Sequence, residues 1–105
     1  MGKARSITLD TQTFAKAGDG TTFFSGMLQR YKKGDQVSEE DGQHLHALLK
    51  RHDESEEKRG SGVSHFFVDS APEPFTGQRC FWIMRNDGSR IDISYQHCLE
   101  KKPYD

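Results

Sequence analysis

The chain has 105 residues, 32% hydrophobic and 30% charged, with 15 basic against 16 acidic side chains and a formal net charge of −1. That size fits one domain over 1–105 with a small, aromatic-rich core, and the balanced charge excludes binding of nucleic acid through a global positive excess. No apolar run approaches the ~20 residues of a membrane span and no apolar leader opens the chain, so a cytoplasmic protein with free thiols and no membrane partner is expected.

The first six residues, Met1 to Ser6, fit the loose myristoylation pattern, which reads more simply as a chance match ahead of a strand. Ile7 and Leu9 alternate with Thr8 and Asp10, predicting a short half-buried strand over 5–11. Ala17 to Gly20 reads as a loop, after which Thr21 caps a helix. Its apolar positions, Phe23, Phe24, Met27, Leu28 and Tyr31, form one buried face, and Gly34 suits the left-handed C-terminal cap. Ser38 followed by Glu39, Glu40 and Asp41 is an N-cap with an acidic first turn, opening a second helix lined by Leu45, Leu48 and Leu49. Residues 53–62 are charged and then glycine-rich, a surface connection.

The remainder reads as β. Strands are predicted at Val63 to Asp69, Arg79 to Arg85 and Arg90 to Tyr95, with a proline-containing loop over 70–77 and a tight turn at Asn86-Asp87-Gly88. A two-residue turn sets Trp82 opposite Ile93. A three-residue turn with Gly88 left-handed sets Phe81 opposite Ile93 and Ile83 opposite Ile91, and is preferred because each turn residue suits its position. In both registers Cys80, Trp82 and Met84 face away from Phe81 and Ile83. The expected fold is α+β: a small, mostly antiparallel sheet of about four strands with two helices on one face, in the order β-α-α-β-β-β.

Several stretches in order carry a resemblance: His52, Lys58-Arg59-Gly60-Ser61-Gly62, Arg79-Cys80-Phe81, Arg85-Asn86-Asp87-Gly88, Asp92-Ile93-Ser94-Tyr95 and Cys98. The set resembles the DCL family, named for defective chloroplasts and leaves, and with Tyr31, Gly34, Leu48 and Leu49 it covers about 13–100. Departures from the family pattern are Arg59 in place of a hydrophobic residue, Ile93 in place of Phe, and Gln96-His97 in place of a basic pair. Plant members are associated with plastid ribosomal RNA maturation, and a similar domain ends the largest subunit of plant-specific RNA polymerases. The resemblance therefore implies a role near RNA, in a ribonucleoprotein or transcription complex, but no reaction.

No motif supports catalysis. The five histidines and two cysteines lack metal-ligand spacing, so neither metal nor cofactor is expected. Gly60-Ser61-Gly62 has no nucleophile-elbow context, Cys80 reads as a small buried hydrophobe, Asp87 as a turn former, and Asp92 as the partner of an arginine across the hairpin. Binding has more to stand on. Lys58 and Arg59 precede Gly60 and Gly62, a backbone able to turn N–H groups toward an anion. Arg79, Arg85 and Arg90 come from adjacent strands with Phe81 or Trp82 between them to stack a base. The competing reading has these cations solubilising a hairpin, which would leave a protein-interaction adaptor without nucleic-acid affinity.

Overall fold

The alternation of Ile7 and Leu9 does bury both side chains, but the strand is shorter than the expected 5–11 and the chain turns back after it. In the computed structural model, which describes residues 6–52 and 55–100, β1 (Ile7–Thr8) pairs antiparallel with β2 (Thr13–Phe14). The polar segment between them turns, with Leu9 N donating to Gln12 O at 2.7 Å and Asp10 paired with Lys50. This ribbon is separate from the main sheet, so the strands fall into two sheets rather than one of four. The first five residues of the myristoylation-like hexapeptide lie outside the described residues.

Helix α1 (Ala17–Gln29) begins four positions before Thr21 and absorbs the segment expected to be a loop. Its N-cap, Lys16, offers no side-chain bond, so local signals do not start it. Packing does: a Cβ on Gly20 would lie 3.3 Å from both Phe14 and Leu99, so a glycine there lets the helix close against those rings and methyls. Thr21 and Thr22 return their hydroxyls to Ala17 O and Gly18 O, as interior helical residues do. The helix ends at Gln29, before Tyr31. Gly34 does take φ +95°, but it serves the following turn, donating to Val68 O at 2.6 Å.

Helix α2 (Glu39–Leu49) follows its sequence signal, with Ser38 Oγ accepting from Asp41 N at 3.2 Å. Asp41 is itself buried, and its carboxylate accepts from Tyr31 Oη at 2.5 Å and Arg30 Nη2 at 2.8 Å. Burial works against its charge, but these two hydrogen bonds and the guanidinium outweigh it and hold its pKa below the usual value of 3.8. A carboxyl lowered on folding contributes stability that is complete above its unfolded pKa and disappears as pH falls through the folded one. The urea midpoint should therefore drop below about pH 4, and Asp41→Asn should flatten that drop. A wild-type and an Asp41→Asn curve of equal slope between pH 5 and pH 2 would reject the assignment.

A five-residue helix, α3 (Ser55–Arg59), leads into the sheet β3 (Val63–Ser70), β4 (Arg79–Arg85) and β5 (Arg90–Ile93), ordered β3-β4-β5 and antiparallel throughout. Phe81 faces Ile93 and Ile83 faces Ile91, the register of the three-residue turn, with Arg85 N bonded to Ser89 O and Gly88 at φ +86°. The last strand stops at Ile93, because Ser94 caps a short helix α4 (Tyr95–Leu99) by accepting from His97 N. Segment 34–37 covers the outer edge of β3, with Val37 N on Phe66 O and Val68 N on Asp35 O.

The inner face of the sheet, Phe66, Val68, Phe81, Ile83 and Ile93, joins Phe24, Met27, Leu45, Leu48 and Leu49 in one core. The architecture is α+β, as the pattern of periods implied. Among the described residues no helix is long and apolar enough to cross a membrane.

Candidate nucleic-acid interface

Strand alternation gives the three-stranded sheet a second face, made of His65, Phe67 and Asp69 on β3, Cys80, Trp82 and Met84 on β4, and Arg90 and Asp92 on β5. Register sets Phe67, Trp82 and Asp92 in one row. The Phe67 and Trp82 rings lie 6.2 Å apart and inclined by 19°, and the Arg90 guanidinium sits 5.5 Å from the Trp82 centroid. Trp82 is fixed from below, its Nε1 donating to Ser70 O at 3.1 Å. Arg90 is 58% exposed and reaches Asp69 at 3.8 Å, a loose surface pair worth at most about 1 kcal/mol.

The predicted cations do not form one free surface. Arg79 lies on the other side of the sheet, donating to Tyr31 O at 2.8 Å and Gln29 Oε1 at 3.2 Å, and so ties the end of α1 to β4. Arg85 donates to Glu57 O and Lys58 O at 2.9 and 3.1 Å, satisfying carbonyls at the end of α3. Lys58 crosses to Asp92 O at 2.8 Å and closes the free edge of β5. These acceptors are neutral carbonyls, so the positive charges persist. Arg59 is half-buried and makes no ion pair among the described residues.

Gly60 and Gly62 take φ +49° and +113°, but their N–H groups go to Glu56 O and Arg59 O. The loop does not present those two donors to an anion. It docks instead onto the hairpin turn: Asn86 N donates to Gly62 O, Asn86 Nδ2 to Ser61 O and Asp87 N to Ser61 Oγ. Asp87 is a turn former as expected, its carboxylate accepting from Ser89 N and Oγ, which lowers its pKa.

Phe81, one of two candidate stacking residues, is 1% exposed and packed edge-on against Tyr95. It cannot meet a base, which leaves Trp82 as the one candidate for stacking. Asp92 pairs with no arginine among the described residues; Arg90 turns to Asp69 instead. Phe67 and Asp69 were not picked out from sequence. The signal was the alternation of β3, which separates Phe67 and Asp69 from Phe66 and Val68 and aligns Phe67 with Trp82 once the register is known.

Cys80 lies on this face, half-buried, with its thiol against Ile93 O at 3.7 Å. Burial, then the nearby Asp92 carboxylate, push its pKa up to about 11. The thiolate is the reactive form, so alkylation by iodoacetamide at pH 8 should be at least tenfold slower than that of free cysteine, whose pKa is about 8.5. A Cys80 modification rate equal to that of a cysteine peptide would reject this environment.

Comparison with known proteins places the geometry in a family. The family model described as "Protein of unknown function (DUF3223)" matches residues 25–99. "Protein DCL homolog, chloroplastic" from Arabidopsis thaliana is 35% identical over 79 residues, which is 71% of this chain and 36% of that protein. "DNA-directed RNA polymerase V subunit 1" from the same plant is 37% identical over 70 residues, 66% of this chain but 4% of that subunit. "Protein DCL, chloroplastic" from Solanum lycopersicum is 36% identical over 72 residues, 68% of this chain and 32% of that protein, so the chain spans about a third of the DCL relatives' length. The solution NMR structure of an uncharacterised protein from Rhodospirillum rubrum superposes with a TM-score of 0.81 at 44% identity, covering 93% of this chain and 91% of that one. The matched stretch is thus a module found in much longer proteins as well, and this chain belongs to the DUF3223 family, related to the DCL proteins.

Proposed function

We propose that the chain is a non-catalytic accessory domain that contacts single-stranded RNA through the outer face of β3-β4-β5. The observation that carries this is the half-buried Trp82 ring, supported by Phe67 and flanked by the exposed guanidinium of Arg90. An aromatic ring on a sheet with a guanidinium beside it can hold a base between them while the cation meets the phosphate. Lys58 adds positive charge where it crosses to Asp92 O at the β5 edge, with Arg59 beside it at the end of α3, and neither is cancelled by a carboxylate in an ion pair among the described residues. The similarity to a stretch of an RNA polymerase subunit supports a place near newly made RNA.

A backbone-amide titration with a short single-stranded RNA at low salt tests this. Shifts are expected at Phe67, Trp82 and Arg90 and along 58–62. With three cations in contact, Lys58, Arg59 and Arg90, the log–log salt slope should be near about −2.1, and Trp82→Ala should cost ~1–3 kcal/mol of binding. A second reading, a protein-interaction adaptor, is favoured by a different feature. A mainly apolar groove of about 560 Å3 runs between α2 and the start of β3, lined by Val37, Ala47, Val63 and Phe66. No RNA-induced shift on the sheet face, with salt-insensitive capture of a protein at the groove, would give that reading first place.

A further inference from the structure

Where β5 gives way to α4, the sheet face ends in a cleft of about 390 Å3 between the β3–β4 loop and residues 92–96. Three features of its lining offer contacts to a ligand. Phe75 is 58% exposed, although its loop is well closed, with Phe75 N on Pro72 O, Gln78 N on Phe75 O and Ala71 N on Gln78 O, each at 2.9 Å. A large ring is thus held in solvent by a defined backbone. Asp92 is half-buried and its carboxylate makes no hydrogen bond or ion pair among the described residues, while its backbone is anchored by Lys58. Gln78 and Gln96 place two exposed carboxamides on the same cleft.

We propose that this cleft reads an unpaired guanine, with Asp92 accepting from the base's N1–H and N2 amino group and Phe75 stacking on its face. The inference rests on the RNA-contacting reading and names what that surface selects. A carboxylate is an acceptor only, with two oxygens side by side. Guanine alone among the RNA bases presents two adjacent donors on its Watson–Crick edge. Adenine and cytosine set a ring-nitrogen acceptor beside their amino group, and uracil flanks its one N–H with two carbonyls, so each brings a lone pair against the carboxylate. The amide nitrogens of Gln78 and Gln96 are donors for the guanine O6 and N7. Cys80 and Asp92 belong both to the cleft and to the sheet face that carries Trp82, while Arg79 and Tyr95 line it from the other side, so the cleft opens at the end of the sheet next to that face.

The test is fluorescence anisotropy of the full chain with three labelled uridine decamers carrying a central guanosine, adenosine or uridine. The guanosine decamer should bind about tenfold more tightly than the other two, in line with discrimination by one bidentate contact. Asp92→Asn should bring the three affinities within twofold of one another; reading the ratio removes the uniform gain from losing a negative charge. Phe75→Ala, on an exposed loop position that leaves the core intact, should lower the guanosine affinity most. Equal binding of all three decamers, or a preference that survives Asp92→Asn, overturns the guanine assignment and leaves the RNA surface standing. No binding of any decamer overturns both. Competition by a lysine-rich peptide for Asp92, with no response to RNA, assigns the cleft to a protein partner and also overturns the proposal.

Discussion

Gly62→Ala should lower stability by ~3 kcal/mol and the melting temperature by more than about 10 °C. Gly62 takes φ +113°, a backbone conformation that side chains strain to adopt, costing ~1–3 kcal/mol before any contact is considered. The added Cβ would also collide with Asn86 Nδ2, the group that donates to Ser61 O. Moving Asn86 removes that bond and disturbs Asn86 N on Gly62 O and Asp87 N on Ser61 Oγ. Gly60→Ala is a useful companion. Its φ of +49° is milder, but its Cβ would lie 2.8 Å from Arg85 Nε, and that guanidinium is held by Glu57 O and Lys58 O. Its loss should be smaller, since an arginine side chain can swing away where a strained backbone cannot. Differential scanning calorimetry of both variants checks the order. A Gly62→Ala protein melting with the wild type would mean that the loop does not dock on the turn.

This docking changes what the shared motifs mean. Lys58-Arg59-Gly60-Ser61-Gly62 and Arg85-Asn86-Asp87-Gly88 look like an anion-binding loop and a solvated turn, because charge and glycine content are all that the sequence displays. Where a cation spends its hydrogen bonds depends on groups far along the chain: Arg85 and Lys58 reach carbonyls 27 and 34 residues away. Elements with a strong local signal were legible. The Ser38 cap needs only Asp41 N three residues on, and the three-residue turn needs only the φ of Gly88 and one carboxylate oxygen of Asp87. The start of α1 was not, since Gly20 belongs in a helix only because Phe14 and Leu99 crowd its Cβ position. Helices α3 and α4, five residues each, are too short for a 3.6-residue period to show. The outer face was half legible. Alternation separates Trp82 from Phe81, but nothing local places Phe67 and Arg90 on either side of the tryptophan.

Phe81→Ala and Trp82→Ala should differ far more than neighbours in sequence usually do. Phe81 is 1% exposed, faces Val68 and Ile93 across the sheet, and packs edge-on against Tyr95. Truncating a fully buried phenylalanine costs ~3–5 kcal/mol, most of the stability of a domain this size. Urea denaturation of Phe81→Ala should therefore show a midpoint near zero or no folded baseline at all. Phe81→Leu keeps most of the volume and should remain folded, which guards against reading a failure to express as a result. Trp82→Ala removes a ring that is half-buried on the outer face, together with one bond to Ser70 O and the Arg90 contact. Its cost should be smaller, ~1–2 kcal/mol, because much of the ring already meets solvent and no core cavity opens. The comparison also bears on function. A ring that stabilises the fold modestly yet sits between a phenylalanine and an arginine is available to a ligand. A ring whose loss unfolds the domain is not. Equal destabilisation by the two alanine variants would place Trp82 in the core and remove the stacking platform on which the RNA reading depends.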